Sequence, residues 1–593
     1  MRDRHEMPFG ASIDRDGVRF RLWAPAARTV ALSLDEHEPP LPMSAAGGGW
    51  FALTTKEARA GTRYRYLVDG VAVPDPASRH QPEDVAGPSE VIDPLDYEWH
   101  DAEWRGRPWE ETVLYELHPG AFTASGDFAG VESRLDDLAG LGVTAIELMP
   151  VADFPGRRNW GYDGVLPFAP DASYGRPEAL KRLVDACHRR GLAVFLDVVY
   201  NHFGPEGNDL GRYAPGFFTE RHHTPWGAAI NFDGKDAAPV RRFYVENALY
   251  WLEEFHCDGL RLDAVHAIAD DSPKHILAEI AEAVHAHFDN RRAVHLVLEN
   301  DRNEASWLRR DGVRPALYEA QWNDDLHHVL HLLASGVASG YYADYADAPA
   351  ARLGRALAEG FVYQGEAAAH RNGARRGTPS AHLPPTAFVS FIQNHDQVGN
   401  DAFGRRLTRL ADAVSVRLVA AIYLLSPQIP MLFMGEEAAA DEPFPFFCDF
   451  AGELARNIRE GRQQEFARFP EFTDATVQAR IPDPSAAATF ASAKLNPAPA
   501  HRTWRDWYGE MLALRRREIV PRLRGIPGGA ARYEPIGDRA VVVVWRLGDG
   551  ARLTLAANFD TRPAELPEAP AGRLLYATAP MPALRRLASR SAV

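Results

Sequence analysis

A chain of 593 residues, 46% hydrophobic and 10% aromatic, is longer than one ordinary domain and holds ample material for a large core. Lys and Arg total 65 against 81 Asp and Glu, a formal net charge of -16 that disfavours nucleic acid or an anionic membrane surface as a general partner. The three cysteines, Cys187, Cys257 and Cys448, are widely spaced and form no CxxC pair, so they read as reduced thiols, not a disulfide framework or a zinc site.

In chain order, residues 1–11 mix charges without an apolar stretch, so no secretory leader is expected and the predicted location is the cytoplasm. Residues 1–105 alternate polar and apolar side chains, as at 18–23 and 63–68, with Gly, Pro and Asp turns between; this predicts an N-terminal β-sandwich. From 106 to 515 the pattern becomes strand, loop and helix in repetition. Candidate strands are 113–117, 144–150, 192–199, 259–265, 294–299, 316–321, 386–393 and 431–434, and amphipathic helices lie between them, one carrying Val245, Ala248, Leu252 and Phe255. Such a series predicts an α/β fold, a closed (β/α)8 TIM barrel, with an open doubly wound sheet as the alternative. The interruption at 201–235 is too long for a plain connection and predicts a small subdomain over the barrel mouth. The apolar run 418–435, broken by Ser426, Pro427, Gln428 and Pro430, reads as a buried helix and strand and not a membrane span. Strand patterning resumes over 525–593, at 540–545 and 553–558, and predicts a C-terminal β domain.

The candidate chemistry lies at strand ends, where a barrel of this kind keeps it. In 259–266, Leu260, Leu262 and Ala264 alternate with Arg261, Asp263 and Val265, so Arg261 and Asp263 share one side of a buried strand. A lone Arg-x-Asp is more often a structural ion pair than a site. Here, however, the third strand ends in Asp197, Asn201 and His202, the fourth in His266, the fifth in Glu299, and the seventh in Asn394, His395, Asp396 and Gln397. Two carboxyls across a cavity are what glycosidic hydrolysis requires, one to attack or activate water and one to protonate the leaving oxygen. Arg261 beside Asp263 predicts an ionised carboxylate, and the apolar approach 294–298 predicts a raised pKa at Glu299.

In order and spacing, the segments 197–202, 259–266, Glu299 and 394–396 resemble the four conserved regions of the α-amylase family of glycoside hydrolases. This resemblance implies Asp263 as nucleophile, Glu299 as acid/base and Asp396 as a grip on sugar hydroxyls. It also implies that Arg261, His202, His266 and His395 support the sugar, that Tyr162 stacks on it, and that Asp197 braces Arg261. The N-terminal sandwich then corresponds to a carbohydrate-binding-module-like domain. Within the family, residues 74–79, 159–170, 224–234, 321–328, 394–400 and 443–450 are similar to members that free trehalose from maltooligosyl trehalose. The implied partners are therefore maltooligosyl trehalose and related α-glucans, with no nucleic acid or membrane. A branching or debranching enzyme of the same family is the alternative. After Asn400 an Arg is expected, whereas this chain has Asp401.

No cofactor or metal is expected. Asn201 matches a calcium position of many amylases, but 201–235 offers no carboxylate cluster to complete a site. A bent disaccharide calls for an aromatic platform beside fixed hydrogen-bonding groups, which makes Trp226, Asp324 and Gln397 candidates for holding trehalose. His327 and His328 read as surface or helix residues, and Asp270 and Asp271 as a helix start or solvent-facing groups.

Overall fold

Eight short parallel strands close a barrel in the computed structural model, which describes residues 3–593 except 36, 225, 290, 468–471, 473, 497–501 and 581–584. They are β1 (Leu114–Leu117), β2 (Ala145–Leu148), β3 (Ala193–Val198), β4 (Gly259–Leu262), β5 (His295–Leu298), β6 (Ala320–Trp322), β7 (Phe388–Ser390) and β8 (Ile429–Phe433). Each pairs with its successor and β8 pairs with β1, so the barrel and not the open sheet is formed. Leu114, Ala145, Phe195, Val297 and Trp322 belong to the apolar cluster that fills the barrel. Two residues further along the same strands, on the same face, come Glu116, Glu147, Asp197 and Glu299. Gly259 is required on β4: a Cβ there would lie 2.2 Å from the Phe195 ring, the side chain that fills the space below Arg261.

The sixth strand starts later than predicted. Residues 316 and 318 give their amide hydrogens to Arg309 and Trp307, at 2.8 and 3.3 Å, and so belong to a side hairpin, not the barrel. After β3 the chain rises into a hairpin of Phe218–Thr224 and Gly227–Ile230. The apolar run at 418–435 is the helix Ala413–Leu425 followed by β8, and among the described residues no helix is long and apolar enough to cross a membrane.

Two antiparallel sheets form the N-terminal sandwich around buried Val18, Phe20, Leu22, Leu32, Tyr64 and Tyr66. At the other end, Ala531–Ile536, Ala540–Arg546, Arg552–Asn558 and Ser591–Ala592 form a sheet. It docks through buried Trp545, whose indole N–H donates to Leu357 O at 3.1 Å. The three cysteines are buried free thiols.

Histidines clasp the N-terminal segment to the barrel. His5 sits between Glu246 and Glu253 of the helix Ala237–Glu253, at 2.6 and 2.7 Å. His256 bridges Asp3 and Asp101, and His188 bridges Asp101 and Asp258, all at 2.8–2.9 Å. Burial opposes a charged His5, but its two glutamates outweigh burial and raise its pKa. His188 is raised likewise, by Asp258 and Asp101 against burial. A folded pKa above the unfolded value of about 6.5 gives stability that is complete below that value and lost as pH rises through the folded one. The Tm difference between the parent and His5→Gln should therefore be largest near about pH 6 and shrink toward pH 9 or so. A difference that stayed constant with pH would show that His5 is not held as imidazolium.

Candidate active site

Arg261 is the hub of the barrel mouth. Strand register sets it beside Asp197, and its fully buried guanidinium reaches three carboxylates. Nη1 donates to Asp197 Oδ2 at 2.5 Å and Asp263 Oδ1 at 3.0 Å, and Nη2 lies 2.8 Å from Glu299 Oε2. The Trp322 ring lies 4.0 Å from the guanidinium carbon and covers the cation. Asn201 Nδ2 donates to Asp263 Oδ2 at 2.9 Å and, also at 2.9 Å, to its backbone carbonyl. Ala264 adopts a left-handed backbone, φ 39°, and its N–H donates to Glu299 Oε2 at 2.7 Å. A non-glycine residue held there stores strain of the kind found at functional sites.

Burial and the charge of Glu299 push the Asp263 carboxyl up. At Glu299, burial is outweighed by Arg261, His266 and the Ala264 N–H, which hold its carboxyl low. The two shifts run in opposite directions: the charge is disfavoured at Asp263 and held at Glu299. That corrects the sequence expectation, in which Asp263 was the ionised partner and the apolar strand raised Glu299. Direct contacts to Glu299 override the strand behind it.

Tyr162 donates to Asp197 Oδ2 at 2.6 Å and stacks on His395 at 5.0 Å between ring centres. Gly161 makes this possible at φ 104°, because a Cβ there would lie 2.0 Å from Pro150 O. His202 contacts Asn201 Oδ1 and Tyr162 O, the latter at 3.0 Å, and burial lowers its pKa to about 4. Its ring stacks under Trp226 at 5.0 Å. Asp396 accepts from Asn400 at 2.8 Å. Asp324 meets Gln397 Nε2 at 3.4 Å, and burial, with Glu299 and Asp396 nearby, pushes it up to about 8. His266 accepts the Asp301 N–H at 3.3 Å on the far side of Glu299. These contacts join Arg261, Asp263, Glu299, Tyr162, His395, His202 and Trp226 in one network, while Asp324 with Gln397, Asp396 with Asn400, and His266 with Asp301 form separate pairs.

Two acids escaped the sequence reading. Glu116 on β1 accepts both the backbone N–H (3.0 Å) and Nδ1 (2.5 Å) of His395. Against the burial penalty, Glu116 raises the pKa of His395. Glu147 is the other. Both are charged residues within apolar strands, the signal that marked Arg261. His327 and His328 are helix residues, on the buried side: their helix, Asp324–Ser335, packs against Tyr342 and Tyr345. Asp270 is engaged by Arg241 at 2.8 Å, while Asp271 faces solvent beside His222, Asp233 and Arg221. Arg221 lies 3.2 Å from Asp233 and 3.6 Å from Asp271, supplying that cluster with positive charge. At the position after Asn400, where an Arg was expected, stands Asp401; a guanidinium reaches this loop from Arg462, which donates to Asn400 Oδ1 at 3.4 Å and to Gly399 O at 2.9 Å.

Residues 98–212 match the model of the alpha amylase catalytic domain, 8–93 that of carbohydrate-binding module 48 (isoamylase N-terminal domain), and 528–593 a domain of unknown function. Malto-oligosyltrehalose trehalohydrolase of Saccharolobus solfataricus is 44% identical over 492 residues, 83% of this chain and 84% of that protein. The chain belongs to the malto-oligosyltrehalose trehalohydrolase family. The trehalohydrolase of Deinococcus radiodurans is 41% identical over 90% of this chain and 88% of its own length. A Salmonella typhimurium crystal structure described as a candidate alpha amylase superposes with TM-score 0.93 at 45% identity, covering 98% of both chains. Among trehalohydrolases, then, this chain carries the full three-part architecture, with Arg261 and its three carboxylates at the barrel mouth.

Proposed function

We propose that this protein is a retaining glycoside hydrolase that cleaves the α-1,4-glucosidic bond next to the terminal trehalose of maltooligosyl trehalose and releases trehalose. The observation that carries this reading is the pair Asp263 and Glu299, joined by one guanidinium at the mouth of a closed barrel, in a member of the trehalohydrolase family. Asp263 attacks the anomeric carbon while Glu299 protonates the glycosidic oxygen, and trehalose leaves. Glu299, now a carboxylate, takes a proton from water as that water attacks the glycosyl ester, which frees the maltooligosaccharide and restores Asp263. This chemistry needs the proton on Glu299 and the charge on Asp263, the reverse of the directions in which the surrounding groups shift them. The arriving glycosidic oxygen gives Glu299 a partner for a donated hydrogen bond, and Arg261 remains to hold the ionised Asp263. Incubation with maltooligosyl trehalose and chromatography of the products tests the assignment. Maltose in place of trehalose, or transfer to an α-1,6 branch, would overturn it.

Trp226 is 48% exposed, unusual for so large an apolar ring, and is propped face-on by His202. That makes it a platform for a sugar face on the leaving-group side, with Asp324 and Gln397 as hydrogen-bonding partners for the trehalose hydroxyls. Trp226→Ala should lower kcat/KM for maltooligosyl trehalose by about 10-fold or more, and for a plain maltooligosaccharide by no more than about 3-fold. Equal losses on both would reduce Trp226 to a packing residue of the hairpin.

A further inference from the structure

Glu147 stands on β2 inside the barrel and makes none of the contacts described above. It is 1% exposed, and neither carboxyl oxygen has a hydrogen-bond partner among the described residues. Strand register sets it level with Glu116 on β1, and neighbouring strands run about 4.8 Å apart. Glu116 is committed to His395 through both oxygens. On the other side, β3 sets Phe195 level with Glu147 and carries Asp197 two residues further on; Asp197 Oδ2 accepts from Tyr162 and Arg261, while its Oδ1 is buried with no partner among the described residues. A carboxylate at Glu147 would add a negative charge between these acids with no donor to hold it, a far greater cost than burying a neutral acid. The neutral acid carries one O–H. Glu147 therefore has a donor in need of an acceptor, and Asp197 Oδ1 is an acceptor in need of a donor.

We propose that Glu147 is a positioning residue of the hydrolytic site: as a carboxylic acid it donates its O–H to Oδ1 of Asp197, directly or across one enclosed water, and so fixes the Asp197–Arg261 pair that steadies Asp263. Burial is the main cause that raises the Glu147 carboxyl well above the ordinary range; Glu116 and Asp197 add to it, and Arg261 opposes.

Two substitutions separate donation from packing. Glu147→Gln keeps the size and an N–H donor, and should hold kcat within about 3-fold of the parent. Glu147→Met keeps the size but not the donor, and should lower kcat about 10- to 100-fold with KM changed by less than about 2-fold. In an Asp197→Asn background, the Met substitution should cost less than about 3-fold, because the charged acceptor is already gone. Equal kcat in the Gln and Met variants, or fully additive losses with Asp197→Asn, would overturn the proposal. The infrared spectrum at about pH 7 supplies a test that holds even if the Met variant fails to fold. The full-length parent should show the carbonyl stretch of protonated buried carboxyls, Asp324 among them, and the difference spectrum of parent minus Glu147→Gln should contain one such band that belongs to Glu147. A difference spectrum without that band would also overturn the proposal. The kinetic arm rests on Asp263 as nucleophile; the infrared arm does not, so failure of that assignment would leave the band in place.

Discussion

Replacing Asp263 by Asn, or Glu299 by Gln, should lower kcat on maltooligosyl trehalose by about 10³-fold or more and leave the fold in place. The amide oxygen at either position can still accept from Arg261, which lies 3.0 Å from Asp263 and 2.8 Å from Glu299. Each substitution removes one of two carboxyls that compete for a single buried guanidinium, so the Tm should equal or exceed that of the parent. The roles separate with a glycosyl fluoride, whose leaving group needs no protonation. Glu299→Gln should regain most of the first step with it, whereas Asp263→Asn, lacking a nucleophile, should not. The maltooligosaccharide released by the parent should appear first as its α-anomer by NMR, as expected for carboxyls about 5–5.5 Å apart. A β-anomer would replace the double displacement by direct attack of water. Near-parent kcat in either variant would remove that residue from the chemistry.

Arg261→Met should be the most destabilising single change at the site, by about 3–5 kcal/mol, because it strands Asp197, Asp263 and Glu299 in a buried place with no cation. Arg261→Lys restores the charge but not the planar fork that reaches three carboxylates at once, so kcat should still fall by at least about 10²-fold. The pH dependence has a definite sign. Without the guanidinium the folded-state pKa values of these carboxyls rise above their unfolded values, and such groups cost stability as pH climbs through that range. The deficit of Arg261→Met in denaturant unfolding should therefore be largest near neutral pH and shrink as the solution is acidified. A variant as stable as the parent at about pH 7 would show that the three acids do not depend on Arg261.

The barrel and most of its mouth were legible because each strand is a short apolar run, and a charge within or at the end of such a run stands out, as Arg261, Asp263 and Glu299 do. Glu116 stands out equally, yet its partner His395 is 279 positions away and comes within reach only when β7 closes next to β8 and β1. Sequence pattern marks a buried charge; it does not pair it. The proton balance of Asp263 and Glu299 was hidden for a related reason. It turns on Arg261, on His266 and on a backbone N–H aimed by a left-handed Ala264, and nothing about an alanine announces a positive φ. The sixth strand shifted because a side hairpin takes the hydrogen bonds of residues 316 and 318. Which side His327 and His328 take was left open because a helix covered on several sides has no polar stripe to mark its outer face.

The histidine clasp also bears on how this enzyme can be rebuilt. The helix that holds His5 through Glu246 and Glu253 leads directly into β4, the strand that carries Arg261. Arg79 of the N-terminal half adds a second tie by gripping Glu254 at 3.2 Å, just past the end of that helix. The β-sandwich is consequently a poor cassette. A homologous module grafted in its place would have to bring a matching imidazole and guanidinium, or it would leave the buried Glu254 without the Arg79 guanidinium and the buried Glu246 with Arg242 of its own helix alone. Chimeras that move the module together with the helix Ala237–Glu253 and Glu254 keep His5 and Arg79 with their glutamates, and leave Arg261 with Asp197 and Glu299.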